Sequence, residues 1–137
     1  MLALREGGLP LQFLPSHADG GMTARMNAVD SALSQSHSHP MGAIEPPRSW
    51  PELLADAGLS AVQSRSFMLD LPAPLDEAAR RQLARTLRRT REMLDGHLAD
   101  GDAERLDQLT DPEDPESVLR RPDVFMLRAA TIHTAVR

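Results

Sequence analysis

Ser49-Trp50-Pro51-Glu52-Leu53-Leu54-Ala55-Asp56-Ala57-Gly58-Leu59 carries a full set of helix punctuation. Ser49 with Glu52 three residues later is a capping box, in which each side chain satisfies a backbone N–H of the other's turn. Pro51 falls in the first turn, where its missing N–H costs nothing. Gly58 ends the helix by supplying a left-handed cap. Residues 61–71 follow as a strand, closed by Pro72 and Pro74, neither of which tolerates the middle of a ladder.

Working backwards, Leu2 and Leu4 alternate on one side of a short N-terminal strand that Gly7-Gly8 ends. Residues 9–15 form an apolar stretch between Pro10 and Pro15, better suited to an extended wall than to a central strand. Met22, Met26, Val29 and Leu33 recur at helical spacing, and residues 34–47 read as a polar loop. Working forwards, residues 75–122 read as helical. Ala79, Leu83, Leu87, Met93, Leu94 and Leu98 outline one apolar side, with a second short helix over 103–109. The continuous apolar run over 123–136 reads as a last strand covered on both faces.

The 137 residues fit one domain. Cysteine is absent, which excludes a disulfide scaffold, a zinc–thiolate site, an iron–sulfur cluster and a cysteine nucleophile. All 15 basic residues are arginine, so no lysine is present for a Schiff base or a phosphate loop. The formal net charge of -5 argues against general binding to DNA or acidic membranes. No apolar run approaches the ~20 residues of a membrane span. The N-terminus lacks the basic start of a signal peptide, and a cytoplasmic protein is expected.

Residues 76–95 hold Arg80, Arg81, Arg85, Arg88, Arg89 and Arg91 against four acids, whereas residues 95–116 carry nine acids and Arg105. The expectation is that the two segments fold back and pair, or are solvated, rather than forming a phosphate-binding face. His17, His37, His39, His97 and His133 are scattered. His37 and His39, with Glu45 near, fall short of the oriented ligand set that a metal needs. His133 is expected to be packed or hydrogen-bonded within the last strand. No G-x-S-x-G elbow, no G-x-x-x-x-G-K-[ST] loop and no G-x-G-x-x-G turn occurs. No catalytic, cofactor-binding or metal-ligating residue is therefore assigned.

The order of the pieces resembles the C-terminal half of a class I S-adenosylmethionine-dependent methyltransferase. The resemblance rests on Leu2-Ala3-Leu4-Arg5-Glu6-Gly7-Gly8-Leu9-Pro10-Leu11-Gln12-Phe13-Leu14-Pro15, on residues 49–59 with their W-x-x-x-L-x-x-A-G-L pattern, on Arg65-Ser66-Phe67-Met68-Leu69-Asp70-Leu71, and on Arg121-Pro122-Asp123-Val124-Phe125-Met126-Leu127. It implies an α/β fold: a partial Rossmann-like sheet made of the last strands, the final one antiparallel. Residues 1–6, 61–71 and 124–136 stand for the fifth, sixth and seventh strands. Residues 75–122 are a helical insertion between the last two strands, and residues 8–17 border the substrate pocket. Residues 1–137 make one incomplete domain on this reading, the chain beginning inside a strand with its donor-binding front missing.

What the resemblance implies for function is transfer of a methyl group from S-adenosylmethionine to a small-molecule acceptor. The glycine-rich turn and ribose-binding acid of that family belong to its first half, so the isolated chain is expected to be inactive. Its open sheet edge is expected to drive self-association or the capture of a partner chain. The main rival is a non-catalytic protein-binding or regulatory module built on the Arg-rich and acid-rich helices. A nucleic-acid binder using the six-Arg helix is the third reading, and neither nucleic acid nor membrane is the expected partner.

Overall fold

The computed structural model describes residues 1–38 and 48–137. In chain order the elements are β1 (Leu2–Gly7), α1 (Ser16–Asp19), α2 (Met22–Ser38), α3 (Trp50–Asp56), β2 (Ser60–Leu71), α4 (Glu77–Met93), α5 (Asp100–Thr110) and β3 (Met126–Val136). The fold is α/β, with one three-stranded sheet in the order β1-β3-β2. β3 pairs antiparallel with both neighbours, so β1 and β2 run parallel to one another on either side of it.

Local chemistry explains the element ends. At α3 the capping box forms as read: the Ser49 N–H donates to Glu52 Oε2 at 2.8 Å, and the Glu52 N–H donates to Ser49 Oγ at 3.4 Å. Hydrogen bonds donated by the Ser49 N–H and hydroxyl hold the Glu52 carboxyl below its ordinary pKa. Gly58, one residue past the cap at φ +78°, adopts the left-handed conformation that ends the helix. Asp76 caps α4 by accepting from the Ala79 N–H at 2.7 Å.

The core lies away from the outer part of the sheet. Leu83, Ala84 and Leu87 of α4 pack with Leu94, with Leu106 and Leu109 of α5, and with Val118, Val124 and Met126. Phe13, Leu14, Met22 and Met26 join the same cluster from the N-terminal side. Arg25 of α2 forks onto Asp102 of α5, with Nε 2.8 Å from Oδ2 and Nη2 2.6 Å from Oδ1. This fork holds the Asp102 carboxyl below its ordinary range.

The stretch after β1 is an extended wall, as its prolines imply. Gln12 bridges to Leu127, and the Phe125 N–H donates to the Phe13 carbonyl at 3.2 Å. Gly8 lies close against β3, where an added Cβ would stand 3.2 Å from the Ala129 carbonyl oxygen. Gly8→Val is expected to cost about 1 kcal/mol, the low end for overpacking because Gly8 is exposed. A urea titration checks this, and an unchanged midpoint would show that the approach relaxes freely.

Several elements differ from the sequence reading, among them α5, which begins at Asp100 rather than at 103. α2 continues through Ser38 into residues read as loop. The four-residue α1 was not expected. The last strand begins at Met126, because residues 122–123 form a turn and 124–125 are irregular. α4 and α5 stand between β2 and β3, where the helical insertion over 75–122 was placed. Among the described residues, no helix is long and apolar enough to cross a membrane.

Candidate functional site

Strand register sorts the sheet residues onto two faces, since directly opposed residues share a face. One face carries Glu6 of β1, Thr131 and His133 of β3, and Ser64 and Ser66 of β2. The other carries Arg5, then Arg128 and Ile132, then Gln63, Arg65, Phe67 and Leu69.

On the first face, His133 is only 4% exposed and is bonded on both ring nitrogens. Ser64 Oγ lies 2.8 Å from Nδ1, and Glu6 Oε2 lies 2.9 Å from Nε2. With the ring proton on Nε2, the imidazole donates to Glu6 and accepts from the Ser64 hydroxyl. That is the hydroxyl–imidazole–carboxylate order of an activated nucleophile. The next rung, Ser66 Oγ to Thr131 Oγ1 at 2.9 Å, repeats a polar cross-strand pair without a base. The row therefore reads as side-chain bonding that ties β1, β3 and β2 together, with His133 satisfied at its centre.

The second face holds a half-open cavity of about 440 Å³ whose lining includes Gln63, Arg65, Phe67, Ile132 and Thr134. Arg65 and Arg5 both stand opposite Ile132, one on each neighbouring strand. The Arg65 guanidinium sits over the Phe67 ring, 5.2 Å from its centroid. Among the described residues, Arg5, Arg65 and Arg128 form no ion pair, in contrast to Arg25, Arg81, Arg91, Arg105, Arg120 and Arg121. The Arg128 pKa is pushed down, first by burial and then by the positive charge of Arg5, with Asp30 opposing.

A β-bulge leads into this cavity. Ser60 pairs with Val136 and Gln63 with Thr134, so β2 carries one extra residue. Ala61 within it has φ +49°, a left-handed conformation that costs a non-glycine residue energy. Bulges of this kind re-aim the side chains that follow them.

The arginines of α4 take several roles. Arg91 does cross to α5, with Nε 3.2 Å from Asp107 Oδ1, and it also pairs with Asp95 at 2.6 Å. Arg81 pairs with Glu77 on its own helix. Arg80 and Arg88 donate instead to backbone carbonyls, of Leu75 and Thr110 respectively, each at 2.8 Å. The acids of the following segment are partly matched within that segment, by Arg105, Arg120 and Arg121.

Of the histidines, His17 and His97 are exposed. His39 and Glu45 lie outside the described residues, as does the side chain of His37. Among the described residues, no three His, Asp or Glu side chains gather closely enough to hold a metal ion.

Neither the Ser64–His133–Glu6 row nor the arginine face was legible beforehand. Their members are 69 and 127 residues apart in the row, and strand register alone aligns them. No family model, curated protein or solved structure matches the chain.

Proposed function

We propose that the chain forms the closing strands and substrate cover of an S-adenosylmethionine-dependent methyltransferase acting on a small molecule. The observation that carries this reading is the sheet. The last strand is antiparallel to both neighbours, the two outer strands are parallel to each other, and a helical pair stands between β2 and β3. An antiparallel last strand between two mutually parallel ones supports the partial Rossmann-like sheet that the sequence resemblance implies. β1 lies at the sheet edge with Leu2 exposed, so further parallel strands can add there.

In such an assembled enzyme S-adenosylmethionine, once bound, would supply the methyl group. The protein's share is positioning and exclusion of water. The donor-cradling turn belongs to the other half of that fold, so none of these residues is assigned to S-adenosylmethionine.

The test is purification from the native cells through a C-terminal tag, followed by native mass measurement and titration with S-adenosylmethionine. The expected result is a species or assembly larger than this chain that binds the donor saturably and transfers a labelled methyl group. A species of this chain's own mass, or an assembly without donor affinity, overturns the reading. The rival, a non-catalytic binding module, is favoured by Phe67, Met68 and Leu69, which lie exposed in sequence along the edge strand β2. Such an edge is a template for a partner strand, and that rival predicts an assembly with no donor affinity.

A further inference from the structure

We propose that the arginine-bearing face of the sheet binds a small molecule with a planar apolar body and one oxyanion, carboxylate or phosphate. The oxyanion sits on Arg65, and the apolar body lies against Phe67 and Ile132. The cavity of about 440 Å³ falls within the size range of small-ligand sites. Its lining has the usual make-up of such sites: an aromatic and a branched aliphatic wall, a few polar groups (Gln63 and Thr134), and one charged group, Arg65.

Charge selects the ligand class. The chain as a whole is negative at -5, yet this face gathers three guanidinium groups that form no ion pair among the described residues. Arg5 and Arg65 flank Ile132 from the two neighbouring strands, roughly 10 Å apart at two strand spacings. Arg128 lies on the same face of β3, four residues from Ile132, close enough to feel the charge of Arg5. An arginine without a carboxylate partner keeps its planar fork of donors open, and that fork matches carboxylate and phosphate geometry.

Phe67 sets the second requirement. Its ring already carries the Arg65 guanidinium, which holds that long side chain in place and reduces the ordering cost of binding. The ring is 51% exposed, so a planar ligand gains by covering it. The bulge at Ser60–Gln63, with Ala61 at φ +49°, adds strained backbone two residues before the lining residue Gln63. Strain of this kind clusters at functional positions. The inference does not require the methyltransferase reading, because it uses only the geometry of this sheet.

The test is a calorimetric and NMR titration of the full chain with benzoate, phenyl phosphate, inorganic phosphate and phenol. Benzoate or phenyl phosphate should saturate the chain and shift Phe67 and Ile132, with inorganic phosphate and phenol at least about tenfold weaker. Whichever of the two aryl anions binds more tightly identifies the oxyanion. Arg65→Ala should weaken binding by about tenfold or more, Arg65→Lys by less, and Phe67→Ala should remove the advantage of the aryl compounds over inorganic phosphate. Arg85→Ala, on the exposed side of α4, serves as the folded control and should bind as the parent does. No saturable binding, equal affinity for phenol, or an unchanged affinity in Arg65→Ala would each overturn the proposal. None of those results bears on donor binding by the native assembly.

Discussion

Phe13→Ala is expected to lower stability by about 3–5 kcal/mol, the range for truncating a fully buried aromatic. Phe13 is 0% exposed and belongs to the same cluster as Leu83, Leu87, Leu106 and Leu109. Its backbone is also engaged, since its carbonyl accepts from the Phe125 N–H. The side chain thus joins the segment after β1 to the helical pair, while the backbone joins it to the approach to β3. Side chains from α2, α4, α5 and the approach to β3 share this cluster and limit how far the site can collapse, so the cavity term adds to the lost transfer energy. Leu9→Ala is the control. Leu9 lies in the same extended stretch but is 41% exposed, and its truncation should cost less than about 1 kcal/mol. Urea unfolding of both variants decides the matter. A Phe13→Ala loss below about 1 kcal/mol would show that the wall segment is not part of the core. Against a typical total of about 5–15 kcal/mol, the expected loss removes much of what holds the chain folded.

The sequence reading succeeded where the cause is local. The Ser49–Glu52 capping box and the Gly58 cap depend on residues within one turn of each other. The strand ending at Leu71 was legible because Pro72 and Pro74 follow it. Helix α4 was legible from the spacing of Ala79, Leu83 and Leu87. Composition misled at residues 34–38, where Ser, Gln and His suggested a loop but α2 continues. Helix propagation from the anchored Met22–Leu33 part outweighs the modest propensities of those residues.

Charge counting saw the balance between α4 and the acidic segment but not its partners. An arginine satisfied by carbonyls, as Arg80 and Arg88 are, looks in sequence the same as one paired with an acid. The His133 row and the Arg5–Arg65 pair lie beyond any local pattern. Each depends on β3 lying between two strands that are far apart in the chain, and only the register shows which residues meet.

The same limit applies to Arg121, one of two adjacent arginines, whose side chain makes three bonds that its neighbours in sequence do not announce. Its side chain is 13% exposed, and its fork takes Asp123, with Nε 2.9 Å from Oδ1 and Nη2 2.6 Å from Oδ2. Nη1 takes Glu116, and the Arg121 carbonyl accepts from Arg80 at 2.5 Å. These bonds close the insertion just before β3 begins. Arg121→Ala should therefore cost about 2 kcal/mol at neutral pH, within the range for hydrogen bonds to charged groups and reduced because the acids are partly exposed.

The cost should also depend on pH. The bond from Arg121 holds the Asp123 carboxyl below its ordinary value. A carboxylate whose pKa is lower in the folded state stabilises the fold above its unfolded pKa of about 3.9 and loses that contribution as pH falls through the folded value. The gap between parent and Arg121→Ala should then be full at pH 7, shrink below about pH 4 and become small once Asp123 is protonated. Arg121→Lys keeps the charge but not the fork and should recover less than half of the loss. Urea midpoints at pH 7 and in acid measure all three chains. A gap that stays constant across that range would mean Arg121 acts through the packing of its stem rather than through its bonds to Asp123 and Glu116.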